Sequence, residues 1–161
     1  MAATDVTPEK ALLDCLVDRG LTFASAESCT GGMIASRITS LPGASRAFCG
    51  GVVAYANEAK TAMLGVDPAM IATHGAVSRQ VVEQMAAGAL KRFGADIAVA
   101  TSGIAGPDGG TTEKPVGTVW MAVATAEGTE ASVYRFPGSR DRVIDRAATV
   151  ALLSALTRLQ N

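Results

Sequence analysis

Residues Ala26 to Gly32 read Ala-Glu-Ser-Cys-Thr-Gly-Gly and join an apolar run, Leu21 to Ala26, to a helix-like one carrying Met33, Ile34, Ile38 and Leu41. Two hydroxyls, a thiol and two glycines therefore stand where a strand would hand over to a helix. Backbone N–H groups at a helix start lack partners within the helix, and the dipole favours negative charge there. Glycine lets a ligand come close to the backbone. Such a segment can hold a phosphate, or it can hold a nucleophile with the donors that stabilise an oxyanion. On these residues alone both remain open.

Two further loops bring distinctive groups. One carries Tyr55, Asn57 and Lys60, and the other runs Ser102-Gly103-Ile104-Ala105-Gly106-Pro107-Asp108-Gly109-Gly110. Tyr55 falls at a predicted strand end and Lys60 in the first turn of a helix capped by Asn57. The positive end of that helix and partial burial both lower the proton affinity of an ammonium. A neutral Lys60 can take the proton of Ser28, with Tyr55 relaying or orienting it. His74 is the single histidine, so a nucleophile paired with histidine would have to use it. Each residue also has a plainer reading. Ser28 and Thr30 suit a helix cap, the glycine-rich loop suits a turn, and Lys60 suits a solvated surface. Tyr55 suits a core or rim position, Cys29 a small buried hydrophobe or rival nucleophile, and His74 a helix end. The 102–110 loop lacks the Rossmann spacing, no loop ends in the Gly-Lys-Ser/Thr of a phosphate-binding loop, and the Ser-x-x-Lys pattern is missing.

The elements that must position these groups follow from periodicity and punctuation. A first helix is predicted from Pro8 to Arg19, with Thr7 as cap, Gly20 as stop and Ala11, Leu12, Leu13 and Leu16 as its buried stripe. Leu21 to Ala26 reads as a short strand and Thr30 to Ser40 as a helix. Cys49 to Ala56 reads as a buried strand, and a short helix runs from its Asn57 cap to Leu64. Asp67-Pro68 opens another short helix, and Ser78 caps a long one to Phe93. Asp96 to Ser102 is a second buried strand. Val116 to Thr125 and Glu130 to Phe136 form a hairpin around Glu127-Gly128. Arg140 to Leu159 closes the chain as a helix with Val143, Ala147, Val150, Leu153 and Leu156 along its seam. Alternating helices and apolar strands with a late hairpin predict an α/β protein, a three-layer α/β/α sandwich around a mixed, mainly parallel sheet. Ligands belong at the strand ends that feed helices.

The 161 residues suit one domain, and 48% hydrophobic against 18% charged content excludes a disordered chain. A net charge of −1 and the lack of a Lys/Arg-rich face give no reason to expect nucleic acid. The longest uncharged run, Pro115 to Ala126, is too short for a bilayer, and the N-terminal residues do not form a secretory signal. Cys15, Cys29 and Cys49 are odd in number and have no metal-ligand spacing, so the expectation is a cytoplasmic, reduced protein without metal or cofactor. The low charge is compatible with a homo-oligomer.

The segments Ala26 to Gly32, Tyr55 to Lys60, His74-Gly75-Ala76-Val77-Ser78, Ser102 to Gly110 and Lys114-Pro115-Val116-Gly117-Thr118-Val119 together resemble the CinA C-terminal-domain family. The likeness runs from about residue 10 to the last helix. The family includes stand-alone amidohydrolases that convert nicotinamide mononucleotide and water into nicotinic acid mononucleotide and ammonia. The resemblance implies the same sandwich fold, Ser28 as nucleophile, Lys60 as base and Tyr55 assisting. It implies that Thr30, Gly31 and Gly32 support the oxyanion or substrate through backbone N–H groups. Ser102 and Gly103 match a substrate-facing loop, and Arg140 matches an arginine suited to the mononucleotide phosphate. Ile144 departs from the family pattern, in which a basic residue often stands at this place; Arg142 and Arg146 are the nearby substitutes. A non-catalytic nucleotide-binding or protein-interaction module is the rival reading.

Overall fold

The computed structural model describes residues 5–161. Thr7 accepts from Lys10 N to start α1 (Pro8–Arg19), and Gly20, left-handed at φ 64°, closes it. The chain then forms β1 (Phe23–Glu27), α2 (Met33–Thr39), a 3-10 turn at Ala44–Arg46 and β2 (Phe48–Val53). Three helices follow: α3 (Asn57–Leu64), α4 (Pro68–His74) and α5 (Arg79–Phe93). Asp67 and Ser78 cap α4 and α5 through their side chains, as their positions predict. Next come β3 (Ile97–Gly103), the hairpin β4 (Thr118–Thr125) and β5 (Gly128–Arg135), and finally α6 (Arg140–Gln160).

The strands form one five-stranded sheet in the order β2-β1-β3-β4-β5. β1 runs parallel to both its neighbours, whereas β4 is antiparallel to β3 and to β5. This is the α/β sandwich around a mixed sheet that the alternation of elements predicts. Successive strand residues point to opposite faces. Phe23, Ile97, Val99, Val119, Met121 and Val123 pack on the side of α1, α2 and α6. Ala24, Ala26, Ala98, Ala100, Ala122 and Ala124 meet Val81, Val82, Met85, Ala86 and Ala89 of α5 and Leu64 of α3. A sheet face built of alanine lets α5 lie close against it. Close approach recurs at Gly88 of α5, where an added Cβ would stand 2.8 Å from the Leu64 carbonyl carbon of α3 and nearer still to its oxygen. The larger side chains with no exposure, among them Leu12, Leu16, Ile34, Ile38, Met85 and Leu152, each contribute about 1.5–3 kcal/mol by burial.

The two parallel crossovers leave on opposite faces. From β1 the chain passes through α2, among the helices of one face, to β2. From β2 it returns through α3, α4 and α5 on the other face to β3. The connections diverge at the C-terminal end of β1, which opens a crevice there.

Four local expectations are corrected. Helix α2 begins at Met33, not Thr30, because Gly31 and Gly32 are left-handed at φ 60° and 105° and hold residues 28–31 in a turn. Strand β2 is an edge strand whose residues are mostly solvent-accessible. Asn57 lies inside α3, and Ala56 takes the cap position with no side-chain bond. On α6 the buried seam is Val143, Ala147, Ala148, Ala151, Leu152 and Ala155, while Leu153 is 41% exposed.

Candidate active site

Four loops and the start of α6 meet at the crevice beside β1. Ser28, Cys29, Tyr55, Lys60, Ser102, Gly103 and Arg140 line one cavity of about 290 Å³, with Asn57 and Asp108 also on its wall. It thus collects Ser28, Tyr55, Lys60, Ser102, Gly103 and Arg140 from the expected site residues. Thr30, Gly31 and Gly32 lie outside its lining, beneath or beside the turn that carries Ser28.

That turn is tightly held. Ser28 N donates to Thr101 O at 3.0 Å, and Gly31 N donates to Ser28 O at 3.1 Å. Thr30 is buried, and its hydroxyl donates to Glu27 Oε1 at 2.6 Å and lies 2.8 Å from Thr101 Oγ1. Glu27 Oε1 also accepts from Ile34 N at 2.9 Å, and Oε2 accepts from Ala35 N at 3.2 Å. The start of α2 is therefore occupied by the chain's own carboxylate, not left open for a ligand's anion. The Gly31 amide is spent within the turn. Among the described residues, the amides of Cys29, Thr30 and Gly32 have no such engagement and are the donors this turn retains. None of these bonds involves the Ser28 hydroxyl, and Ser28 lines the cavity.

Lys60 is 1% exposed. Burial pushes its proton affinity below the ordinary lysine value, opposed by the negative charge of nearby Glu58 and, only once its thiol ionises, by Cys29. Its Nζ donates to the Tyr55 carbonyl oxygen at 2.9 Å, and among the described residues it has no ion-pair partner. The Tyr55 phenol turns elsewhere. Its hydroxyl accepts from Arg140 Nη2 at 3.2 Å, and Arg140 Nη1 donates to Gly106 O at 2.7 Å. Tyr55 thus meets Lys60 through its backbone and Arg140 through its ring. Ser102 Oγ donates to Ala76 O at 2.8 Å, which fastens the α4–α5 loop to the end of β3. Desolvation pushes the Cys29 thiol up to about 11, so it stays protonated beside the serine. Among the described residues no three His, Cys, Asp or Glu side chains gather as metal ligands, and no helix is long and apolar enough to cross a membrane.

Sequence reasoning missed Glu27 and Thr101, which build the floor under Ser28. The signal was present: an acid ending a largely apolar strand must find donors, and the nearest unpaired ones open the next helix.

The fold and cavity define an α/β protein with a serine, a buried lysine and an arginine gathered at the divergence of two crossovers. Residues 5–159 match the family model described as the CinA C-terminal domain, and the chain belongs to that family. A CinA-like protein of Chlorobaculum tepidum is 49% identical over 164 residues, covering 99% of this chain and 39% of that protein. A CinA-like protein of Mycolicibacterium gilvum is 58% identical over 134 residues, covering 83% of this chain and 32% of that one. The chain therefore spans about a third to two fifths of the length of these curated relatives. Among solved structures, the competence/damage inducible protein CihA from Agrobacterium tumefaciens superposes with a TM-score of 0.91 at 39% identity over 100% of both chains. A CinA superfamily protein from Klebsiella pneumoniae gives 0.91 at 36% identity, over 95% of this chain and 96% of that one.

Proposed function

We propose that this chain is a serine amidase that hydrolyses the carboxamide of nicotinamide mononucleotide to nicotinic acid mononucleotide and ammonia. The observation that carries this reading is a buried lysine without an acidic partner, its proton affinity lowered by desolvation, lining the same cavity as an unengaged serine hydroxyl. Burying an ammonium is unfavourable, and a pure binding cradle gains nothing from it.

In the proposed reaction Ser28 Oγ attacks the carboxamide carbon and Lys60 Nζ accepts the hydroxyl proton. Backbone amides of the Ser28 turn hold the tetrahedral oxyanion, with those of Cys29, Thr30 and Gly32 the unspent donors. The C–N bond then breaks and Nζ returns the proton to departing ammonia. Water attacks the acyl-enzyme as Lys60 takes its proton, the ester C–O bond to Ser28 breaks, Nζ returns the proton to Ser28 Oγ, and the acid leaves. Arg140, at the cavity rim, would receive the phosphate of the substrate. The Tyr55 carbonyl bond holds Nζ at the cavity wall until a substrate draws it toward Ser28.

The test is ammonia release from nicotinamide mononucleotide by the purified chain, with Ser28→Ala and Lys60→Ala beside it. Release that both substitutions reduce by at least 10²-fold is expected. That Nζ bonds Tyr55 O and not Ser28 Oγ favours a second reading, a non-catalytic nucleotide-binding module. Calorimetric binding of the mononucleotide without any release of ammonia would establish that alternative.

A further inference from the structure

We infer that Glu27 is a positioning residue for Ser28, fixing the turn that presents the hydroxyl to the cavity. This inference rests on the amidase reading for its consequence, although not for its geometry. Glu27 is 1% exposed at the last position of β1, where its side chain turns toward α2. If its carboxylate served only to satisfy the start of α2, bonds to Ile34 N and Ala35 N would suffice. It also accepts from the Thr30 hydroxyl, inside the turn and two residues past the nucleophile. Thr30 in turn meets Thr101, whose carbonyl accepts from Ser28 N. Glu27, Thr30 and Thr101 therefore link the Ser28 backbone, the first turn of α2 and strand β3 into one frame. The backbone of Glu27 extends the frame to the other wall, since its carbonyl accepts from Ala54 N at 2.9 Å, one residue before Tyr55. The carboxylate can accept on both oxygens at once. An amide cannot, because its NH₂ would face the Ala35 N–H in one orientation and the Ile34 N–H in the other.

The experiment follows the second-order rate at which phenylmethylsulfonyl fluoride modifies Ser28, read by mass spectrometry across pH 6–9. That rate reports the presented hydroxyl without needing the physiological substrate. Glu27→Gln is expected to slow labelling at least tenfold with an unchanged pH midpoint, because Glu27 makes no hydrogen bond to Lys60. Thr30→Val should slow it in the same sense, and Thr30→Ser should restore the parent rate by returning the hydroxyl. These two variants carry the test if Glu27→Gln does not fold. Folded Glu27→Gln or Thr30→Val labelled at the parent rate would overturn the inference and leave Glu27 a helix-start satisfier. So would a parent Ser28 that resists labelling, since nothing is then presented. Parent labelling that slows in the variants, with no ammonia released by any of them, keeps the inference and removes the nicotinamide substrate.

Discussion

Gly88→Ala tests whether the helix crossing that carries Lys60 sets the site. An alanine Cβ at this point would lie 2.8 Å from the Leu64 carbonyl carbon and 3.1 Å from its Cα, where carbon atoms prefer about 3.5–4.0 Å. The Leu64 oxygen is closer still, so α3 and α5 must part by about 1 Å. Helix propensity alone would favour alanine over glycine by about 1 kcal/mol. Overpacking typically costs about 1–3 kcal/mol, and a clash with rigid backbone belongs in the upper part of that range, about 2–3, so the sum is a net loss of about 1–2 kcal/mol. In a chain of this size that lowers the melting temperature by roughly 2–8 °C. The functional effect is larger. Lys60 lies one turn before Leu64 on α3, and a displacement near 1 Å between reacting groups costs on the order of 10²-fold in rate. Melting followed by circular dichroism and ammonia release from nicotinamide mononucleotide read the two effects separately. A variant that melts at or above the parent temperature with undiminished turnover would refute the argument, since α3 would then not be seated on α5 at this point.

The remaining expectations concern titration and burial. Lys60 binds its proton less tightly folded than unfolded, so folding carries a cost that is full below its lowered folded-state value. That cost fades as pH rises toward the ordinary lysine value. Lys60→Met should therefore raise the melting temperature at pH 7, by an amount that shrinks at pH 10, while lowering turnover by about 10²–10⁴-fold. Parent turnover should climb with pH on a limb lying below the ordinary lysine value, and a flat profile between pH 6 and 10 would contradict the role. Cys29, with its thiol near 11, exists as thiolate in only about one molecule per thousand at pH 8. Iodoacetamide at that pH should modify exposed Cys49 and leave Cys29 intact, as peptide mapping would show. Ser25 Oγ is buried without a hydrogen-bond partner among the described residues, so Ser25→Ala should stabilise the chain by about 1 kcal/mol in urea titrations.

Helix boundaries were legible where local chemistry decides them. Thr7 with Gly20 and Ser78 with Gly94 bracket their helices, and Asp67 with Pro68 opens another, because each cap acts within a few residues. Strand environment was not local. Val52 and Val53 suggest a buried strand, yet β2 lies at the sheet edge, because only pairing decides which strand has a neighbour on each side. On α6, alanines displaced Leu153 from the seam, since the close contact with α1 and the sheet selects small side chains. Ser28, Lys60 and Ser102 were marked by the distinctive groups gathered on their loops and Arg140 only by the family resemblance, and one cavity collects all four. The part assigned to Gly31 was not legible, because the amide it would offer is consumed by Ser28 O, a bond set by the turn's closure.

Arg140 is tied to two separate loops before any ligand arrives, through Gly106 O and Tyr55 Oη. A guanidinium carries five N–H donors in a rigid fork, and two tethers leave the others available to an incoming anion. Docking there would ask for little further ordering, because the fork is already aimed. Removing Arg140 would therefore weaken anion capture twice, once by deleting the charge and once by releasing both loops from their common anchor.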